Sequence, residues 1–232
     1  MSKRIVLIHG WNDQPDSGWM AWLRAQTQAL GYEYVAPQMP VQKLPVISRW
    51  VSAAQEAIGT LKDNPILIGH SLGTYILLNY LAEYDGPTNE SAHALILVAG
   101  FLKPGSKRAD HFFRPIKNIA NVSRRSQRIY NIYSDNDKLV LPSRSMQLAK
   151  TIGDESLYMY NCISTLDTTA FNSIQQFIGI SRDRYKCRRQ GTRAVKAYLR
   201  NRPDFLELRP HICTLKRAPI RTSYGSIPAV RV

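Results

Sequence analysis

The chain lacks a long hydrophobic run. Apolar residues make up 44% of its 232 residues, yet no apolar stretch approaches the roughly 20 residues that a membrane-spanning helix needs. The first apolar run, residues 5–8, follows Met1-Ser2-Lys3-Arg4 and ends at His9-Gly10, which is too short for the apolar part of a signal peptide. These absences predict a cytoplasmic protein with no membrane partner.

Cysteine is also scarce. Cys162, Cys187 and Cys213 are the three cysteines of the chain, and they have no spacing typical of metal ligands. An odd number of cysteines in a chain without a secretion signal predicts free thiols. We therefore expect no metal site and no cofactor.

Acidic residues are few, 17 against 31 basic ones, and the net charge is +14. Residues 1–160 carry +4 of this charge and residues 161–232 carry +10. The basic segment mixes prolines, arginines and isolated apolar residues without a period, so we expect it to be irregular or loosely docked. No nucleic-acid motif accompanies its charge, so no nucleic-acid partner is expected.

Residues 1–160 alternate short apolar runs with amphipathic stretches, and this pattern predicts a core domain. The predicted strands cover residues 3–8, 32–36, 66–68, 94–99, 128–133 and 157–160, and the predicted helices cover 17–30, 46–61, 72–84 and 142–152. The strands do not alternate between apolar and polar residues, and most are followed by a helix. This arrangement is typical of a parallel sheet covered on both faces.

The strongest chemical motif is Gly69-His70-Ser71-Leu72-Gly73, which lies between an apolar strand and a helix. That setting is typical of a nucleophile elbow, in which a sharp turn lifts the serine hydroxyl above the sheet edge. The amide of Leu72, at a helix N-terminus, is then a candidate donor to an oxyanion. The second candidate donor is the amide of Trp11, in the loop after the first strand, although Trp11 could simply roof the pocket. His9 is expected to brace this loop rather than to act as a base.

The acid of such a site should follow a later strand. Asp137 follows the apolar run 129–133 in an Asp-x-x-Val turn, and it fits the residue that orients a histidine. Asp135 is the second candidate. The alternative is that both carboxylates only shape the turn or cap the next helix.

With these residues the chain resembles the retinoblastoma-binding-protein-9/YdeN-like serine hydrolases, which are small α/β-hydrolases without a large lid. Gly18-Trp19 and Met39-Pro40 make the resemblance more specific than an elbow alone. The matching stretches are residues 6–11, 19–23, 34–40, 65–74, 94–101, 112–115 and 129–142. The resemblance implies a three-layer α/β/α fold with a mainly parallel sheet and a Ser-Asp-His triad, in which Ser71 and Asp137 match the first two members.

The triad histidine does not match. The family pattern places it some 25 to 30 residues after the acid, in a Gly-His turn, but residues 160–168 contain no histidine. His111 and His211 are the candidate substitutes. Charge, cysteine use and resemblance all change near residue 160, so we hypothesise a reading-frame shift between about residues 150 and 162. If the Leu166 codon ends in G and the Asp167 codon is GAC, the alternative frame reads Gly-His.

Three functions follow from these observations. The first is a serine hydrolase that cleaves small carboxylic esters or amides through an acyl-enzyme, and Trp11, Trp19, Phe112 and Phe113 suggest an apolar acyl group. The second is a catalytically impaired binding protein, which leaves a protein partner open. The third is a binder of nucleic acid or acidic partners through residues 161–232.

Overall fold

The computed structural model describes residues 4–41, 43–103, 113–134 and 137–153, together with the backbone of residues 155–159 and 215–216. Its strands are β1 Arg4–Ile8, β2 Glu33–Val35, β3 Ile66–His70, β4 Ala94–Val98, β5 Ile129–Ser134, β6 Glu155–Met159 and β7 Leu215–Lys216. Its helices are α1 Trp19–Ala29, α2 Ile47–Ile58, α3 Leu72–Glu83, α4 Ala120–Arg124 and α5 Pro142–Ile152.

The strands form one sheet in the order β2-β1-β3-β4-β5-β6-β7. Every pairing from β2 to β6 is parallel, and β7 pairs antiparallel with β6. The carboxyl ends of β1 to β6 therefore meet at a single edge of the sheet, which we call the carboxyl edge. Loops that follow these strands lie at this edge, whereas the chain enters each strand at the opposite, amino edge.

Both faces of the sheet are buried, which explains why its strands are continuously apolar. Val6 and Ile8 of β1 belong to a core cluster with residues of α2, α3, α4 and α5. Ile5 and Leu7 point to the other face and pack in a second cluster with Trp19, Met20 and Leu23 of α1. The predicted three-layer α/β/α fold is thus confirmed.

The predicted element boundaries agree with the structure to within about three residues, but two elements were missed. Helix α4 is only five residues long, too short to show a helical period. The sequence predicts residues 203–232 to be irregular or loosely docked, whereas Leu215 pairs with Met159 and Lys216 with Tyr158. A two-residue strand has no alternation that a sequence could reveal.

A search of the described residues for helices that are both long and apolar enough to cross a bilayer finds none.

Candidate active site

Ser71 lies at the carboxyl edge, between the end of β3 and the first residue of α3. Its backbone adopts φ 50° and ψ −116°, a conformation that side-chain-bearing residues seldom adopt because it costs on the order of 1–3 kcal/mol. Hydrogen bonds at both the amide and the carbonyl group of Ser71 fix this turn. The Ser71 amide donates to the Val98 carbonyl oxygen at 2.9 Å, and the Ser71 carbonyl oxygen accepts from the Thr74 amide at 3.0 Å and from the Thr74 hydroxyl at 2.6 Å.

The glycines of the motif are required by close packing. A Cβ atom on Gly73 would lie 2.0 Å from the carbonyl oxygen of Ile8, and a Cβ atom on Gly69 would lie 2.8 Å from the Thr74 amide nitrogen. A Cβ atom on Gly10, in the loop after β1, would lie 3.2 Å from the Cβ atom of Ser71. The elbow is therefore pressed against the end of β1, as a strand-turn-helix nucleophile requires.

The two candidate oxyanion donors follow directly from this packing. Leu72 is the first residue of α3, so its amide has no acceptor within the helix and faces outward at the positive end of the helix dipole. Trp11 follows Gly10, the loop residue adjacent to Ser71. The Trp11 indole Nε1 donates to the Lys43 carbonyl oxygen at 3.3 Å, and the side chain is 48% exposed, so the ring lies over the loop rather than in the core.

His9 braces the loop, as predicted. Its Nε2 accepts a hydrogen bond from the Met39 amide at 3.2 Å, and its Nδ1 lies 2.9 Å from the Gly10 carbonyl oxygen. Burial lowers the pKa of His9 below its ordinary value, against smaller effects of the Gly10 carbonyl and Asp13 that raise it. His9 is thus a neutral structural histidine that donates from Nδ1.

A pair that sequence reasoning missed joins the loop after β1 to the elbow. The His70 Nδ1 atom lies 3.4 Å from the Asp13 Oδ2 atom, and the Ser17 hydroxyl also donates to Asp13. Burial raises the pKa of Asp13, but the nearby His70 ring and the hydrogen bonds from Ser17 and the Gln14 amide outweigh it and hold that pKa below its ordinary value. The sequence carries no local signal for this contact, because it depends on the pairing of β1 with β3.

Asp137 is buried in the loop after β5. Its Oδ1 atom accepts hydrogen bonds from the Leu139 amide at 2.8 Å and the Val140 amide at 2.9 Å. The N-cap of α5 is Leu141, so the alternative that Asp137 caps this helix is wrong, whereas the turn-shaping role is present. Because β5 is two strands from β3, Asp137 and Ser71 leave the same edge about 10 Å apart. Asp135 lies outside the described residues.

The remaining predicted site residues are histidines and aromatic residues. His93 precedes β4 at the amino edge, with its Nδ1 atom 3.3 Å from Gln127 Oε1. His111, His211 and Phe112 lie outside the described residues. Trp19 is buried against the His70 ring, and Phe113 is buried against Tyr75 and Phe101; their contribution to an apolar acyl site stays a prediction.

Comparisons with known proteins agree with this geometry. A sequence model described as serine hydrolase matches residues 5–162. The Bacillus subtilis (strain 168) protein YdeN is 28% identical over 160 residues, which is 68% of this chain and 83% of YdeN.

Two solved structures share the fold. The ydeN gene product from B. subtilis superposes with a TM-score of 0.69 at 22% identity, covering 77% of this chain and all of that one. The esterase RhEst1 from Rhodococcus sp. ECU1013 superposes with a TM-score of 0.55 at 17% identity, covering 76% of this chain and 90% of that one. With the family match spanning most of the described domain, this chain belongs to the serine hydrolase family and has the α/β-hydrolase fold.

Proposed function

We propose that this protein is built to cleave small carboxylic esters or amides through an acyl-enzyme on Ser71. The observation that carries this proposal is the elbow itself, in which Ser71 is held at φ 50° at a helix N-terminus while Gly73 touches the backbone of Ile8. Strain of this kind persists where the surrounding structure enforces it, and it is typical of sites with a function.

Each group of the site has a role in this reaction. The Ser71 Oγ atom attacks the acyl carbon while a base takes the hydroxyl proton. The carbonyl oxygen becomes an oxyanion and accepts hydrogen bonds from the Leu72 and Trp11 amides. The base then gives the proton to the leaving alcohol or amine, and water releases the acid by the same steps in reverse order. Asp137 is assigned to orient the base and to balance its charge.

The group that would take the proton from the Ser71 hydroxyl is the least supported part of this site. His9 bonds to Met39 and Gly10, His93 lies beside Gln127 and the Nδ1 atom of His70 lies near Asp13, and none of these described histidines makes a hydrogen bond to the Ser71 hydroxyl. A serine hydroxyl without a base is almost entirely protonated at neutral pH and reacts slowly. This observation supports a second candidate function, a binding domain that retains the oxyanion site but has little turnover.

Labelling with a fluorophosphonate tests the nucleophile. Because the described site shows no base at Ser71, we expect Ser71 to be modified covalently but slowly, over hours with excess reagent, and we expect Ser71→Ala to abolish the label. Ser52→Ala is the matched control because Ser52 is an exposed serine of α2 that donates only to the Ser48 carbonyl oxygen. A label that persists in Ser71→Ala would contradict the proposal.

Imidazole added to the assay separates the two candidate functions. Free imidazole hydrolyses p-nitrophenyl acetate by itself, so the rate without protein is subtracted at each imidazole concentration. If Ser71 lacks only a base, the remaining rate should rise with imidazole in the wild-type chain and not in Ser71→Ala. Tight binding of an alkyl boronic acid with no protein-dependent hydrolysis at any imidazole concentration would favour the binding domain.

A further inference from the structure

Among the residues that the structure describes, the most exposed apolar side chains are concentrated at the carboxyl edge. Leu139 is 77% exposed and Leu44 is 70% exposed. The other large apolar residues exposed at this edge are Trp11, Val41, Val46 and Leu141. All six lie in the loops after β1, β2 and β5, and we call them the apolar rim. Soluble proteins seldom expose so many large apolar side chains around one site without a use for them.

A lysine precedes each of the two leading leucines. Lys43-Leu44 follows β2 and Lys138-Leu139 follows β5, and both lysines are exposed. The same pairing of a cation with a protruding leucine thus occurs on two loops that are far apart in sequence. An ammonium group beside an apolar side chain matches a surface with anionic head groups above acyl chains.

Hydrogen bonds that involve backbone atoms fix the loops that carry the apolar rim. The Trp11 indole donates to the Lys43 carbonyl oxygen, and the Leu44 amide donates to the Val41 carbonyl oxygen at 3.0 Å. Val41 has φ 47°, a costly conformation for a β-branched residue. On the other flank, Asp137 fixes the Leu139 amide. These contacts keep the leucines from folding back onto the core.

The distance between the two sides of the apolar rim indicates which kind of ligand can contact both sides. In the sheet order, the loops after β2 and β5 lie on either side of Ser71, and four strand spacings separate them by about 19 Å. An acyl chain that extends from Ser71 in one direction meets only one flank. A lipid surface contacts both flanks at once, and the mouth of the Ser71 site would then open onto it.

We propose that the carboxyl edge docks on an anionic lipid surface through the apolar rim and its two lysines. This proposal goes beyond the reaction at Ser71, because docking needs no chemistry there. It also replaces the prediction of no membrane partner, which rested on the lack of a spanning segment. Peripheral docking needs only exposed apolar side chains and nearby positive charge.

Co-sedimentation of the full chain with vesicles of equal parts phosphatidylcholine and phosphatidylglycerol tests the rim. We expect binding that weakens by about tenfold for each of Leu44→Ser and Leu139→Ser, the effect of losing one buried leucine side chain. Leu30→Ser is the matched control, since Leu30 is 49% exposed but lies at the amino edge, after α1. Ser71→Ala should bind like the wild type.

The charge is tested with the lysines. Lys43→Gln and Lys138→Gln should each weaken binding by about fivefold, whereas Lys62→Gln, exposed between α2 and β3, should have little effect. Wild-type binding to pure phosphatidylcholine should be weaker than to the mixed vesicles.

The tryptophan fluorescence should shift to the blue on binding, and Trp11→Phe should remove most of this shift, because Trp19 and Trp50 are buried and Trp22 is partly buried on α1, away from the apolar rim. Binding that survives the leucine and lysine substitutions would assign the attraction to the basic residues 161–232 and overturn the proposal. Absence of vesicle binding, or equal losses in the control variants, would overturn it as well.

Discussion

At the scale of single residues, the site depends on contacts between the loop after β1 and the elbow. Asp13 lies beside His70 on this contact, and the hydrogen bonds it accepts hold its pKa below the ordinary value despite burial. A carboxylate whose pKa is lower in the folded than in the unfolded state stabilises the fold at a pH above its unfolded pKa of about 4. That stabilisation is lost as the pH falls through the folded pKa.

Asp13→Asn should therefore lower the free energy of unfolding at neutral pH by about 1 kcal/mol, since it removes hydrogen bonds to a charged group. The difference between wild type and variant should shrink as the pH falls below about 4. Urea unfolding at several pH values measures both quantities. Asp85→Asn is the control because Asp85 is exposed at the amino edge. A difference that is constant from neutral to acid pH would contradict the linkage.

The turn that holds Ser71 was predictable from sequence and the contact of Asp13 was not, for a physical reason. The elbow is local, because one short segment contains the strand end, the turn, both glycines and the helix start. The Asp13–His70 contact joins residues that are distant in sequence, and it exists only because β1 and β3 pair with Ile8 next to Gly69. A single sequence does not reveal which strands are neighbours.

At the scale of elements, α3 joins the elbow at its start to a polar clamp at its end. The Asn121 side-chain amide of α4 donates to the carbonyl oxygens of Leu81 at 2.9 Å, Ala82 at 3.4 Å and Tyr84 at 3.2 Å. These carbonyls are at the end of the helix, where they lack partners within it. The short helix α4, which sequence patterns missed, thus satisfies the last turn of α3.

Asn121→Ala should lower the free energy of unfolding by about 1–3 kcal/mol, because it leaves buried carbonyl oxygens without donors. Urea denaturation gives this value directly. Asn89→Ala serves as the control, since Asn89 is exposed in the loop after α3. If the two variants were equally stable, the clamp would contribute nothing.

Helix prediction succeeded where a strong local signal marks the end of an element. The predicted bounds of α5 agree with Pro142–Ile152 because Pro142 occupies the first turn, where proline fits, and Gly153 closes the helix in the left-handed conformation. No such signals mark α4, whose N-cap Ile119 makes no side-chain hydrogen bond. Its position depends on packing against α3 instead.

At the scale of the whole molecule, the carboxyl edge collects Ser71, the Leu72 and Trp11 amides, Asp137 and the apolar rim. Parallel pairing from β2 to β6 places these groups together although they come from four loops. No described residue is identified as the base, and the family match ends at residue 162, near which the charge and cysteine content also change. The hypothesised frame shift in the coding sequence would account for these changes together, and it makes a further prediction.

The nucleotide sequence should encode Leu166 with a codon that ends in G and Asp167 as GAC, so that the alternative frame reads Gly-His. A chain expressed with that frame restored should react with a fluorophosphonate faster than the present chain by up to about 10⁶-fold, the cost of losing a triad histidine in a serine protease. Replacing the restored histidine by alanine is the control and should return the rate to its present value. If the alternative frame has no Gly-His, or if the restored chain reacts no faster, the base of this site is not a histidine displaced by a frame shift.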